Sequence, residues 1–145
     1  MDFFSSMNVS SSALSAGRTR MNLISSNLAN ANATRTPEGG PYKRKDAVFA
    51  ATPVENPFIR ALDGATGKQV RKVEVSEIVE DQSPPRLQYD PNHPDANPQG
   101  YVAMPNVNVV EEMADMIGAT RAYEANVTAV QAAKSMAMKT LEIGR

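Results

Sequence analysis

Residues 108–143 read NVVEEMADMIGATRAYEANVTAVQAAKSMAMKTLEI, and this stretch decides the fold. Met113, Met116, Thr120, Tyr123, Val127, Val130, Ala137 and Leu141 recur in heptad order, with Lys134 interrupting one core-type position. Ile117 falls beside that series and is assigned with it to pairing and assembly. Interleaved alanines (Ala119, Ala122, Ala125, Ala129, Ala132, Ala133) keep the helix slim. Asn108 is placed to cap its start, and Glu111 stands at the capping-box position. Glu111, Glu112 and Asp115 lie near the start, and Lys134, Lys139 and Arg145 near the end, both favourable to the helix dipole. The spacing predicts a helix over 108–143, about 50 Å long at 1.5 Å per residue.

A second series lies at the other end of the chain. Met7, Leu14, Met21 and Leu28 follow seven-residue spacing, with companions Phe3, Ser10, Gly17, Ile24 and Ala31. A helix is predicted over 3–31. Its first half is crowded with serine and asparagine, which compete for backbone hydrogen bonds and weaken a solitary helix. No charged residue occurs between Phe3 and Gly17, or from Met21 to Thr34. A solvated helix face normally carries Lys and Glu pairs. Packing against other elements must therefore stabilise this helix.

The chain between the helices has no helical period. Asn32, Pro37, Gly39, Gly40 and Pro41 predict turns, followed by the basic run Lys43-Arg44-Lys45. Ala47–Ala51 reads as a short strand. Val70–Val79, with Val73, Val75 and Ile78, is the best strand candidate. Asp63-Gly64-Ala65-Thr66-Gly67 reads as the turn between them. Residues 83–100 hold five prolines and predict extended chain with tight turns. The expected fold is mainly α with a small β-rich insert. The long N- and C-terminal helices pair as a coiled-coil hairpin and the insert sits at its far end. Residues 1–32 plus 106–145 form the helical domain, and 33–105 the loop and β module.

Composition excludes several functions. The 145 residues carry a formal net charge of −1, which gives no electrostatic case for nucleic acid. There is no cysteine, so disulfide and thiolate chemistry are out. No stretch approaches the ~20 apolar residues of a transmembrane helix. The opening Met1-Asp2-Phe3-Phe4-Ser5-Ser6 carries an acid where a secretory signal carries a base. Any export is expected to leave the N-terminus uncleaved. His93, the single histidine, stands in Asp90-Pro91-Asn92-His93-Pro94-Asp95. That run reads as a proline-braced turn, without the ligand spacing of a zinc site. No Gly-x-Ser-x-Gly turn accompanies the serines. Glu111, Glu112 and Asp115 read as a favourable first helical turn rather than paired catalytic carboxylates. No catalytic residue, cofactor site or metal site is assigned.

The flanking motifs narrow the assignment. Ser25-Ser26-Asn27-Leu28-Ala29-Asn30-Ala31-Asn32 resembles the N-terminal signature of bacterial flagellar rod and hook proteins. Thr36-Pro37-Glu38-Gly39-Gly40-Pro41-Tyr42-Lys43-Arg44-Lys45 is similar to the proximal rod branch of that family. Tyr89-Asp90-Pro91-Asn92-His93-Pro94, Gly100-Tyr101-Val102 and Arg121-Ala122-Tyr123-Glu124-Ala125-Asn126 resemble it as well. Ala33 departs from the general signature, whose Gly-Tyr turn comes earlier in the chain. The resemblance implies a non-enzymatic subunit of the periplasmic rod of the flagellar basal body. It implies export through the flagellar type III apparatus. The implied partners are other rod proteins, copies of this chain and the adaptor at the rod base. Rival readings are another axial subunit, a wall-degrading enzyme, or a helical-hairpin binding module.

Overall fold

The computed structural model describes residues 3–53 and 71–143, with side chains from residue 6 onward. The expected turn at 63–67, the Phe3 side chain and Arg145 lie outside the described residues. Six elements follow in order: α1 (Phe3–Ala29), β1 (Lys45–Pro53), β2 (Arg71–Glu80), β3 (Arg86–Tyr89), β4 (Tyr101–Met104) and α2 (Val109–Ile143).

The two helices pack against each other in antiparallel fashion. Asn27 meets Glu112, Met21 meets Thr120, and Tyr123 lies across from Gly17. A Cβ on Gly17 would stand 3.6 Å from the Tyr123 ring, so the small residue lets the ring approach α1 closely. Asn108 caps α2. Its side-chain oxygen accepts from the Val110 amide at 3.2 Å, and its carbonyl accepts from Glu112 at 3.0 Å. Glu111 is exposed.

The face that α2 turns toward α1 differs by one column from the sequence expectation. Glu112, Met116, Ala119, Tyr123, Asn126, Val130, Ala133 and Ala137 alternate by four and three residues, and none is exposed. Met116, Tyr123, Val130 and Ala137 belong to the expected series. The companion column runs one residue earlier than expected, so Lys134 interrupts nothing. Met113, Ile117, Thr120 and Leu141 are exposed, while Val127 is half-buried. The physical reason is size. Ala119 and Ala133 allow a close approach that the bulkier Met113 column does not, and Glu112 finds a buried partner.

On α1 the companion column is the better covered one. Ile24 and Ala31 are buried, Ser10 and Gly17 half-buried, whereas Met7 is exposed and Leu14, Met21 and Leu28 are intermediate. Buried apolar residues among those described are Ala16, Ile24, Ala31, Val102, Val107 and Ala119. That core is thin, and half of it is alanine.

The insert makes two antiparallel two-stranded sheets, β1 with β2 and β3 with β4. The β1–β2 register slips between Val48 and Phe49, where the Ser76 hydroxyl donates to the Val48 carbonyl at 3.1 Å. This hairpin does not project from the far end of the helix pair, as the sequence suggested. It runs back along α1, and the Val73 amide donates to the Ser12 hydroxyl at 3.1 Å. The place of Ser12 on α1 is thereby explained. Ser12, Ala16 and Thr19 are small enough for a strand edge to lie close, and a hydroxyl satisfies an edge amide. β3 is an element the proline-rich reading missed. It pairs Tyr89 with Tyr101, their rings edge-to-face at 5.3 Å between centroids. Gly100 has φ +82, and a Cβ there would lie 2.8 Å from the Tyr89 ring, so glycine is required twice over.

Candidate functional site: a buried polar junction

Three distant segments meet where α1 ends and α2 begins. The sequence supplies the turn that brings them together. Gly39 and Gly40 take φ of +88 and +82, and the Tyr42 amide returns to the Ala33 carbonyl at 3.0 Å. That closure delivers Tyr42, Arg44 and Lys45 beside the last turn of α1.

Asn27 is the centre of the junction and is 1% exposed. Its amide nitrogen donates to the Lys45 carbonyl at 2.9 Å and to Glu112 Oε2 at 3.1 Å. Its oxygen accepts from the Tyr42 hydroxyl and from the Lys45 amide, each at 3.0 Å. An asparagine side chain carries two donors and an acceptor with two lone pairs, and Asn27 uses both ends. No hydrophobic residue of that size could replace it without stranding a backbone amide and carbonyl.

Glu112 is likewise 1% exposed. Its Oε1 accepts from Arg44 Nε, and the Arg44 guanidinium also reaches Asp46 at 3.4 Å and Asp115 at 3.9 Å. Burial works against the Arg44 charge. The hydrogen bond and charge of Glu112, with Asp46 adding, outweigh it and hold Arg44 above its ordinary range. Lys45 is raised by its hydrogen bond to Glu80, 3.2 Å away. Among the described residues, no buried side-chain nitrogen or oxygen lacks a partner.

The sequence residues fall into two groups. Asn27, Leu28, Ala29, Asn30, Gly39, Gly40, Pro41 and Tyr42 lie in or around the junction. Tyr123, Glu124 and Asn126 lie further along α2, with Tyr123 against α1 and Glu124 exposed. Sequence reasoning misses the Arg44–Glu112 pair, because Arg44 lies in a basic run and Glu112 reads as part of a favourable first helical turn. The available signal was that Glu112 shares a heptad column with Ala119, Asn126 and Ala133. A buried charge is tolerated only with a partner, and the basic run supplies one. His93 is part of the β3–β4 connection, its Nδ1 accepting from the Asp95 amide at 3.1 Å. Asp95 in turn accepts from the Thr34 hydroxyl at 2.8 Å. Among the described residues no group of three or more His, Asp or Glu side chains comes together to hold a metal. No described helix is long and apolar enough to cross a membrane. The junction is a structural tie, with every polar group spent on another.

Known proteins are similar to this sequence nearly end to end. Residues 7–35 match the model of the flagella basal body rod protein family. Residues 99–143 match that of the flagellar basal body rod FlgEFG protein C-terminal region. The flagellar basal-body rod protein FlgC of Borreliella burgdorferi is 48% identical, the alignment covering 99% of this chain and 98% of that protein. The chain belongs to the FlgC family of flagellar basal-body rod proteins. FlgC of Bacillus subtilis is 46% identical with full coverage of both chains, and FlgC of Salmonella typhimurium 40% over 94% of each. The two family models cover most of α1 and all of α2. The junction joins one matched stretch to the other: Asn27 comes from the first, Glu112 from the second, and Tyr42 and Arg44 from the chain between.

Proposed function

We propose that this chain is a structural subunit of the proximal part of the flagellar basal-body rod, polymerising with other rod proteins and with copies of itself. The observation that carries the reading is full-length similarity to FlgC proteins of three distant bacteria. The thin core agrees with it. A chain that leaves Ile117 and Leu141 at 55% and 72% exposure on a long helix has apolar surface to bury elsewhere.

In this reading residues 1–32 plus 106–145 are the assembling helical domain, and 33–105 are a loop and β module braced against it. The α1–α2 pair works as a coiled coil, supported by the alternation of covered positions from Glu112 to Ala137. The chain passes through the flagellar type III apparatus, its partners at the rod base include an adaptor, and it works in the periplasm without catalysis. Torque is carried because many packed contacts resist shear together.

Deletion of the coding sequence tests the reading. Basal bodies purified from the deletion strain should lack a complete rod in electron micrographs, and cells should not swim. Complete rods in that strain would overturn the proposal. Amide exchange on the purified monomer tests the manner of assembly. Slow exchange at the junction with fast exchange in the first half of α1 is the expected pattern. Full protection of α1 in dilute monomer would remove any need for assembly to stabilise it.

A further inference from the structure

The connection between β3 and β4 turns through side chains that accept from the amide two residues on. Asp90 Oδ1 accepts from the Asn92 amide at 3.2 Å, and Asn97 Oδ1 from the Gln99 amide at 3.0 Å. Between β2 and β3, Asp81 does the same for the Ser83 amide at 2.8 Å. Asp and Asn are the ordinary acceptors of such turns, and each offers an oxygen. At residue 93 the same reach is made by a ring nitrogen. His93 Nδ1 accepts from the Asp95 amide at 3.1 Å. An amide can only donate, so this bond stands while Nδ1 carries no proton and the ring hydrogen is on Nε2. The turn is linked onward. Asp95 Oδ2 accepts from the Thr34 hydroxyl at 2.8 Å, which ties the connection to the chain leaving α1.

We infer that His93 is a proton-operated latch: neutral, it holds the Asp95 turn and through it Thr34, and protonated, it lets both go. A proton on Nδ1 removes the acceptor and puts a donor in its place. The charged groups nearby decide where that donor turns. Asp90 and Asp95 lie on its own segment. Arg35 stands beside Thr34, with Glu38 further round that turn, and Arg86 of β3 borders the same cleft as Asn32. Of the two carboxylates on the segment, that of Asp95 belongs to the residue the ring already holds. The imidazolium therefore draws it away from Thr34. The loop keeps its shape, because the bonds from the His93 amide to the Asp90 carbonyl (3.3 Å) and from the Ala96 amide to the His93 carbonyl (3.0 Å) do not involve the ring. The junction, which also ties the insert to the end of α1, does not contain the chain's one histidine. Mild acid thus loosens one tie and leaves the other. The inference stands apart from the rod-subunit reading.

Amide exchange read by NMR on the purified full chain tests it, with His93→Asn beside the wild type. An asparagine at 93 keeps an oxygen in reach of the Asp95 amide and does not titrate. Pro94, the residue before that amide, is the same in both chains, so the intrinsic exchange rate cancels in their ratio. The two chains should exchange Asp95 alike at about pH 8. At about pH 5, where an ordinary imidazole is charged and carboxylates remain so, wild type should exchange it about fivefold faster, for one hydrogen bond lost. The Thr34 methyl resonance of wild type should move with the midpoint of the His93 ring, and stay still in the variant. Equal Asp95 rates in the two chains at both pH values overturn the inference. So does a Thr34 methyl that ignores the ring, or one that moves equally in both chains. Should the variant not fold, the wild-type titration decides alone: Thr34 following the ring supports the latch, and Thr34 standing still overturns it.

Discussion

Two regions of the same helix pair treat burial in opposite ways. At the junction, α2 buries a carboxylate, Glu112, against an asparagine and an arginine. Little more than a turn further along, on the other flank, it leaves Ile117 more than half exposed. Hydrophobicity therefore does not decide which residues this fold encloses. Satisfied hydrogen bonds enclose the polar group, and the lack of a neighbour among the described residues leaves the apolar one outside. The junction is satisfied within a single subunit, whereas Ile117 and its exposed apolar neighbours find no cover among the described residues. Substitutions in the two regions should accordingly be read out by different measurements.

The largest effect on the isolated chain is expected from Arg44→Ala. It leaves Glu112 buried without its cation, which costs about 3–5 kcal/mol for a buried pair broken on one side. Urea unfolding should show the midpoint falling steeply, while Lys43→Ala, one residue away and exposed, should stay within about 0.5 kcal/mol. Equal small losses for both would mean the junction is solvated and the contrast between the regions is false. Next in size is Asn27→Ala. It strands the Lys45 amide and carbonyl and removes a donor from the buried Glu112, while Tyr42 keeps Ser26, at about 2–3 kcal/mol for several unsatisfied groups. The double variant with Arg44→Ala should cost less than the two singles together, since both break one network.

The sequence was legible in its periodic parts. Both helices lie within two residues of their expected ends, β2 matches its β-branched run, and the short strand expected at Ala47–Ala51 is the middle of β1. It was less legible in the second column of α2. A search for apolar heptads picks Met113 and Leu141, the more hydrophobic choice, over Glu112, Ala119 and Ala133. The helix instead turns its slim column to α1, where close approach matters more than side-chain area. β3 was hidden because four residues beside a proline pair carry too little pattern. Its pairing depends on Gly100, eleven residues past the strand's end. The path of the β1–β2 hairpin along α1 was hidden for another reason. Serines at Ser12 and Ser15 read as a poor helix, and nothing local says that a strand edge will bond to Ser12.

A third prediction uses a glycine to divide stability from assembly. Gly118→Ala should stabilise the isolated chain by about 0.5–1 kcal/mol, since alanine is the better helix former and its methyl meets nothing. Reduced swimming alongside that gain would assign Gly118 to a contact between subunits. A gain in thermal midpoint with unchanged swimming would return Gly118 to an ordinary surface position.

The smallest effect on the isolated chain is expected from Ile117→Asp, and it is the sharpest test of the contrast. The side chain is already 55% exposed, so an acid there should change unfolding free energy by no more than about 0.5 kcal/mol. Wherever a neighbouring subunit covers Ile117, the same acid becomes a buried unpaired charge, which is costly. Swimming should therefore be lost while purified protein melts normally. Asp at Val130, which faces α1, should instead lower the melting temperature of the monomer, because the charge enters the chain's own seam. If Ile117→Asp unfolds the monomer as Val130→Asp does, the open flank is covered within the chain. If it leaves swimming intact, nothing covers that flank at all. Only a stable monomer that fails to support motility assigns Ile117 to contacts between subunits.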